Sequence, residues 1–115
     1  MASTMLGVSF DVQDAKTVAN FWAAALGRVV SEDADRDNAA VNEPGSNGSY
    51  IGFHRVPEPK TVKNRMHLDL ITSDFDNEVE RLIGLGATKL NEIRAGGHWV
   101  TLGDPEGNEF DVVEG

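Results

Sequence analysis

With 115 residues, the chain has room for one domain with a real core and not for two independent ones. It holds no cysteine, which excludes a disulfide framework, a thiolate metal site and a cysteine nucleophile. A formal net charge of −9 disfavours nucleic acid and anionic lipid as partners.

The opening Met1-Ala2-Ser3-Thr4-Met5 has neither the basic start nor the apolar run of a secretory leader, and no run approaches the length of a membrane span. A cytoplasmic protein without a membrane partner is the expectation. Residues 6–12 then alternate, with Leu6, Val8, Phe10 and Val12 on one face and Gly7, Ser9 and Asp11 on the other. That period of two marks a half-buried strand. Asp14 stands at an N-cap position ahead of Val18, Phe21, Trp22, Ala25 and Leu26 at helical spacing, and Gly27 is the stop. Residues 28–31 can begin a second strand. The run Glu32-Asp33-Ala34-Asp35-Arg36-Asp37 reads as a solvated loop. A short strand at 39–42, a turn at Pro44-Gly45-Ser46-Asn47-Gly48 and a fourth strand at 50–56 follow. In the fourth strand Ile51 and Phe53 share one face, Gly52 and His54 the other.

Pro57-Glu58-Pro59-Lys60 cannot be central strand and reads as a linker. Beyond it the order repeats. Met66, Leu68 and Leu70 alternate with His67 and Asp69. Asp74 or Asp76 caps a helix bearing Val79, Leu82 and Ile83 that ends near Gly84-Leu85-Gly86, and residues 89–93, 99–102 and 109–113 read as three more strands. Asp104-Pro105-Glu106-Gly107-Asn108 reverses the chain between the last two, Pro setting φ and Gly supplying the freedom to turn. Past that turn Phe110 and Val112 point one way, Glu109 and Asp111 the other. An acid facing inward is costly unless something pairs with it. Each half spells strand-helix-strand-strand-strand at a period of about sixty residues, a pseudo-symmetric pair within one domain. The expected division of residues 1–115 is module one at about 5–57, a linker at about 57–64 and module two at about 65–114.

One helix in each half covers the Leu6/Val8/Phe10 and Met66/Leu68/Leu70 stripes. The opposite sheet face then carries Gly7, Ser9, Asp11, Gly52, His54, His67, Asp69, Glu109 and Asp111. Two such half-sheets side by side curl round a polar trough, the kind of hollow that takes a ligand. His67 and Asp111 are its sharpest pair. They read as an acid–base couple in which the carboxylate fixes the imidazole tautomer, or as a structural ion pair across two strands. Asp11 and Asp69 hold equivalent positions and either share a proton or are solvated separately. Of His98 and Trp99, one ring faces the trough and the other the helix, and a trough-facing Trp would wall a flat ligand. Arg55 and Arg94 could neutralise an anion or be plain surface. Gly84-Leu85-Gly86 ends a helix instead of opening one, so it is not a phosphate cradle.

This repeat resembles the vicinal oxygen chelate superfamily through the Gly86 helix stop, the His67 strand and the Asp-Pro-Glu-Gly-Asn turn. Tyr50-Ile51-Gly52-Phe53-His54-Arg55-Val56-Pro57-Glu58-Pro59 and Gly97-His98-Trp99-Val100 make it similar, within that group, to short bacterial glyoxalase-like domain proteins. The likeness runs from Leu6 to Val113. It implies an α+β fold of two βαβββ modules, a curved mixed sheet around the trough and helices outside. In the metal-dependent members four side chains, His or Gln, Glu, His and Glu, hold one divalent ion. Those positions fall here on Gly7, Gly52, His67 and Asp111. His54, roughly 6–7 Å along the strand from Gly52, is a third metal candidate beside His67 and Asp111 and leaves the set incomplete.

The resemblance therefore implies first a protein that binds a small organic molecule without a tightly held metal, as the antibiotic-sequestering members do, with the two glycines widening the hollow. The trough residues would be Ser9, Asp11, Gly52, His54, Asp69, Trp99 and Glu109. The alternative is a divalent-metal lyase, isomerase or dioxygenase, in which His67 and Asp111 are catalytic and the ion polarises a carbonyl or enolate oxygen. A pure dimeric interaction module is the third reading. Short members often dimerise, and unpaired sheet edges favour a homodimer.

Overall fold

The computed structural model describes residues 2–42 and 49–115, so the turn expected at Pro44-Gly45-Ser46-Asn47-Gly48 lies outside the described residues. The chain divides into two compact units, Met1–Pro59 and Lys60–Gly115.

The first unit comprises β1 (Gly7–Val12), α1 (Ala15–Leu26), β2 (Asn38–Val41) and β3 (Tyr50–Arg55). Its sheet runs β1-β3-β2, with β3 parallel to β1 and antiparallel to β2. The helix begins where the Asp14 carboxylate accepts from the Thr17 N–H at 3.1 Å, satisfying a donor that the first turn leaves open. It ends at Gly27, whose φ of 65° is left-handed and suits a residue without a side chain. Val18, Ala19 and Trp22 are its buried stripe. The Phe10 ring lies 5.7 Å from Trp22 and 5.4 Å from Phe53, so strand alternation and helical spacing meet in one aromatic core.

The strand expected at 28–31 does not form. Val30 makes a single bridge to Val41. Backbone bonds flank that bridge, from the Ser31 N–H to the Ala40 carbonyl at 2.9 Å and from the Asn42 N–H to the Val29 carbonyl at 3.4 Å. Asp35, accepting from the Asp37 and Asn38 N–H groups at 2.9 and 2.8 Å, closes a turn directly before β2. The acidic run is therefore not merely solvated. Asp37 also bridges Arg55 at 3.3 Å.

The second unit comprises β4 (Leu68–Thr72), α2 (Phe75–Leu85), β5 (Thr88–Ile93), β6 (Trp99–Gly103) and β7 (Glu109–Glu114). Its sheet runs β4-β7-β6-β5, with β4 parallel to β7 and the other pairs antiparallel. Leu82, Val100, Leu102, Phe110 and Val112 form the core. The turn that aims β7 is held by a buried carboxylate. Asp104, 3% exposed, accepts from the Glu106 and Asn108 N–H groups at 2.9 and 3.0 Å and from the Asn108 amide at 3.0 Å. Gly107 closes that turn with φ at 86°.

Three side chains expected under the helices are exposed instead: Leu6, Met66 and Ile83. Leu6 and Met66 precede β1 and β4, beyond the ends of the strands. Ile83 follows Leu82, and one residue turns about 100° round a helix, which takes it off the Phe75/Val79/Leu82 stripe. Two helices and seven strands in two mixed sheets make an α+β fold among the described residues. The second unit spells βαβββ in full, and the first has the Val30 bridge in place of one strand. No helix among the described residues is long and apolar enough to cross a membrane.

Candidate functional site

Alternation along β4, β6 and β7 turns one face of the second sheet to the core and gives the other to polar groups. Asp111 is in register with Asp69 on β4 and with Thr101 on β6. The Thr101 hydroxyl donates to Asp111 Oδ1 at 2.6 Å. His67 stands just before β4, its Nδ1 at 2.9 Å from Asp69 Oδ1 and 3.9 Å from Asp111 Oδ2. His67 and Asp111 thus meet on one face, with Asp69 as the nearer carboxylate. Asp69 finds its neighbouring acid in Asp111, and Asp11 lies in the first unit in register with His54.

Glu109 shares that face, and its carboxylate is engaged by the linker. Lys60 Nζ lies 3.1 Å away, and the Asn64 N–H donates at 3.0 Å. Burial works against its charge, and the hydrogen bonds from Asn64 and Lys60 reverse that, leaving the carboxyl below its usual value. Trp99 stands on the polar side with Thr101, by the alternation of β6. His98 goes to the helix side, where its ring lies 4.0 Å from that of Phe75. There His98 Nε2 meets Glu92 at 2.9 Å and Nδ1 meets Glu114 at 3.4 Å. Hydrogen bonds from Lys89 first, then His98, hold the Glu92 carboxyl down to about 2. Arg94 pairs with Glu92 at 2.8 Å, as Arg55 does with Asp37, so neither is a bare cation awaiting an anion.

In the first sheet Gly7 faces Tyr50, Ser9 faces Gly52 and Asp11 faces His54 across β1 and β3. The two glycines do not open a hollow. A Cβ built on Gly7 would overlap the Tyr50 backbone carbonyl. One built on Gly52 would lie 2.7 Å from the Tyr50 hydroxyl and 3.0 Å from Ser9 Oγ. The phenol therefore lies along the polar face, covering bare backbone. Two residues on, His54 Nδ1 lies 3.1 Å from Asn38 Oδ1. Beside it, a cavity of about 360 Å³ is lined by Asp37, Asn38, His54, Arg55, Val56 and Pro57. Tyr50 and Thr101 were not among the sequence candidates. Each shares a face by strand alternation with residues that were, Tyr50 with Gly52 and Thr101 with Trp99.

A divalent ion finds part of a ligand set here. One ligand atom from each of His67, Asp69 and Asp111 lies within 4.8 Å of the others. Three protein donors with positions left open is the count of a catalytic site. Within this trio, however, His67 Nδ1 is taken by Asp69 and Asp111 Oδ1 by Thr101. Asp69 completes this group of three, and His54, in the first unit, has its Nδ1 3.1 Å from Asn38 Oδ1.

The sequence matches the model of the family described as "Glyoxalase-like domain" over residues 7–113. No curated protein matches it. Among solved structures it is similar to a glyoxalase/bleomycin resistance protein/dioxygenase family enzyme from Burkholderia phytofirmans PsJN, with a TM-score of 0.74, 21% identity and coverage of 97% of this chain and 98% of that one. The fosfomycin resistance protein FosX from Listeria monocytogenes, complexed with Mn(II) and a dihydroxypropylphosphonic acid, gives a TM-score of 0.73 at 15% identity, covering 98% of this chain and 90% of that one. TnmS3, an antibiotic binding protein from Streptomyces sp. CB03234, gives 0.67 at 21% identity, covering 99% and 98%. At such identities the likeness is one of fold. Together with the βαβββ order, the family match establishes that the chain belongs to the glyoxalase-like domain family.

Proposed function

We propose that this protein binds a small organic molecule on the polar faces of its sheets and does so without a tightly held metal. The observation that carries this reading is the state of the two glycine positions. Where metal-holding relatives of the resembled kind place ligands, Gly7 is barred by the Tyr50 backbone and Gly52 is covered by the Tyr50 phenol. Half of such a ligand set has no counterpart. The antibiotic binding protein TnmS3, similar in fold, supports ligand capture as a use for this architecture.

A second reading rests on the convergence of His67, Asp69 and Asp111. In it those three residues hold a divalent ion that polarises a carbonyl or enolate oxygen of the substrate, and the fold likeness to the Mn(II)-bound FosX supports it. Metal analysis of the chain purified without chelator separates the two. The binding reading expects far less than one ion per chain, and a full equivalent would favour the second reading.

Self-association into a homodimer in the cytoplasm belongs to the same proposal. β1 and β4 are edge strands of their sheets, and exposed Met66 and Ile71 lie beside and on β4.

A further inference from the structure

Tyr50 lies on the first sheet in a way that only its neighbours permit. Its Cβ sits 3.0 Å from where a Gly7 Cβ would be, and its hydroxyl reaches 2.7 Å from where a Gly52 Cβ would be. Ser9 Oγ stands 3.0 Å from that same point, so two hydroxyls gather over Gly52. Gly7, Ser9, Tyr50 and Gly52 face one way by register. A ring laid over glycine shields bare backbone, and shielding alone requires the ring but not the oxygen. The oxygen of Tyr50 is placed beside a second hydroxyl on a polar face that His54 continues, roughly 6–7 Å along β3.

We propose that Tyr50 is the specificity-determining residue of a ligand site on the first sheet, one that takes a neutral or cationic flat molecule with polar groups at both ends. This rests on the small-molecule reading above and names its ligand class. The face of the phenol turned away from the sheet stacks against the flat body of the ligand. The Tyr50 and Ser9 hydroxyls hydrogen-bond a polar group at one end, and the His54 imidazole hydrogen-bonds a polar group at the other. Asp11 stands in register with His54, and Asp37 lines the adjoining cavity with Asn38. Arg55 lines the same cavity but is paired with Asp37 at 3.3 Å, so Asp11 and the chain's net charge of −9 tip the site against an anion and toward neutral or cationic ligands.

The test is a fluorescence anisotropy titration of 7-hydroxycoumarin, kept below the pH at which its phenol ionises, with wild type and with Tyr50→Phe, Tyr50→Leu and Ser9→Ala. Wild type is expected to bind. Tyr50→Phe keeps the ring and loses the hydroxyl, and should weaken binding about fivefold to tenfold. Tyr50→Leu, which also loses the stacking face, should weaken it further, and Ser9→Ala should produce a smaller loss. Melting curves confirm that each variant is folded, and Ser9→Ala carries the test alone if the Tyr50 variants are not. Unchanged affinity in the folded variants overturns the role of Tyr50 while leaving the binding reading intact. A wild-type chain that binds neither this probe nor other neutral flat phenols overturns the binding reading itself.

Discussion

Gly7 and Gly52 face the same way on neighbouring strands, and a methyl group at each would meet a different obstacle. At Gly7 it meets backbone, which cannot step aside. At Gly52 it meets the hydroxyl end of Tyr50, which can move by rotating its side chain. Gly7→Ala should therefore destabilise the chain by about 1–3 kcal/mol, and Gly52→Ala by less than about 1 kcal/mol, in urea unfolding. Equal costs at the two sites would contradict the placement of Tyr50. Strand alternation alone put the glycines, Ser9 and His54 on one face. What alternation does not give is the direction a side chain takes along that face, so Tyr50 was unreadable as the group filling the space. The same limit hid Thr101. Its partnership with Asp111 depends on the β6–β7 register, which the intervening turn sets.

At the level of elements, the join between the linker and β7 is an ionic strap. Lys60 and Asn64 both reach Glu109, and the Asn64 amide donates to Asn108 Oδ1 at 3.1 Å. A carboxyl held below its usual value in the folded chain adds stability at pH above the unfolded value. That stability is lost as pH falls through the folded value. The stability difference between wild type and Glu109→Gln should thus be present near neutrality and close as the solution is acidified through the carboxylate range. A gap independent of pH would mean that the strap is not ionic. The elements were the most legible part of the sequence. β1, α1, β3 and the three strands of the last third follow from period two, helical spacing, Asp14 and Gly27. At 28–31 the pairing is a single bridge from Val30 to Val41, followed by a turn in which Asp35 bonds to backbone two and three residues on, a local choice that hydrophobic pattern cannot anticipate.

For the whole molecule, duplication was readable because both halves repeat the same order of elements about sixty residues apart. Chemistry was less so, since it turns on which carboxylates remain available once neighbours have engaged them. Glu109 and Asp111 look alike in the sequence, yet one is held by the linker and the other by Thr101 beside His67. The homodimer proposed from the edge strands predicts a light-scattering mass of twice 12.4 kDa, and the monomer mass at all concentrations would contradict it. The proposal that this member of the glyoxalase-like family binds a small molecule without a resident ion has a plain chemical readout. Elemental analysis of wild type and His67→Ala, both purified without chelator, tests it most directly. Metal far below one equivalent is expected in both proteins. One divalent ion per wild-type chain, absent from His67→Ala, would contradict it.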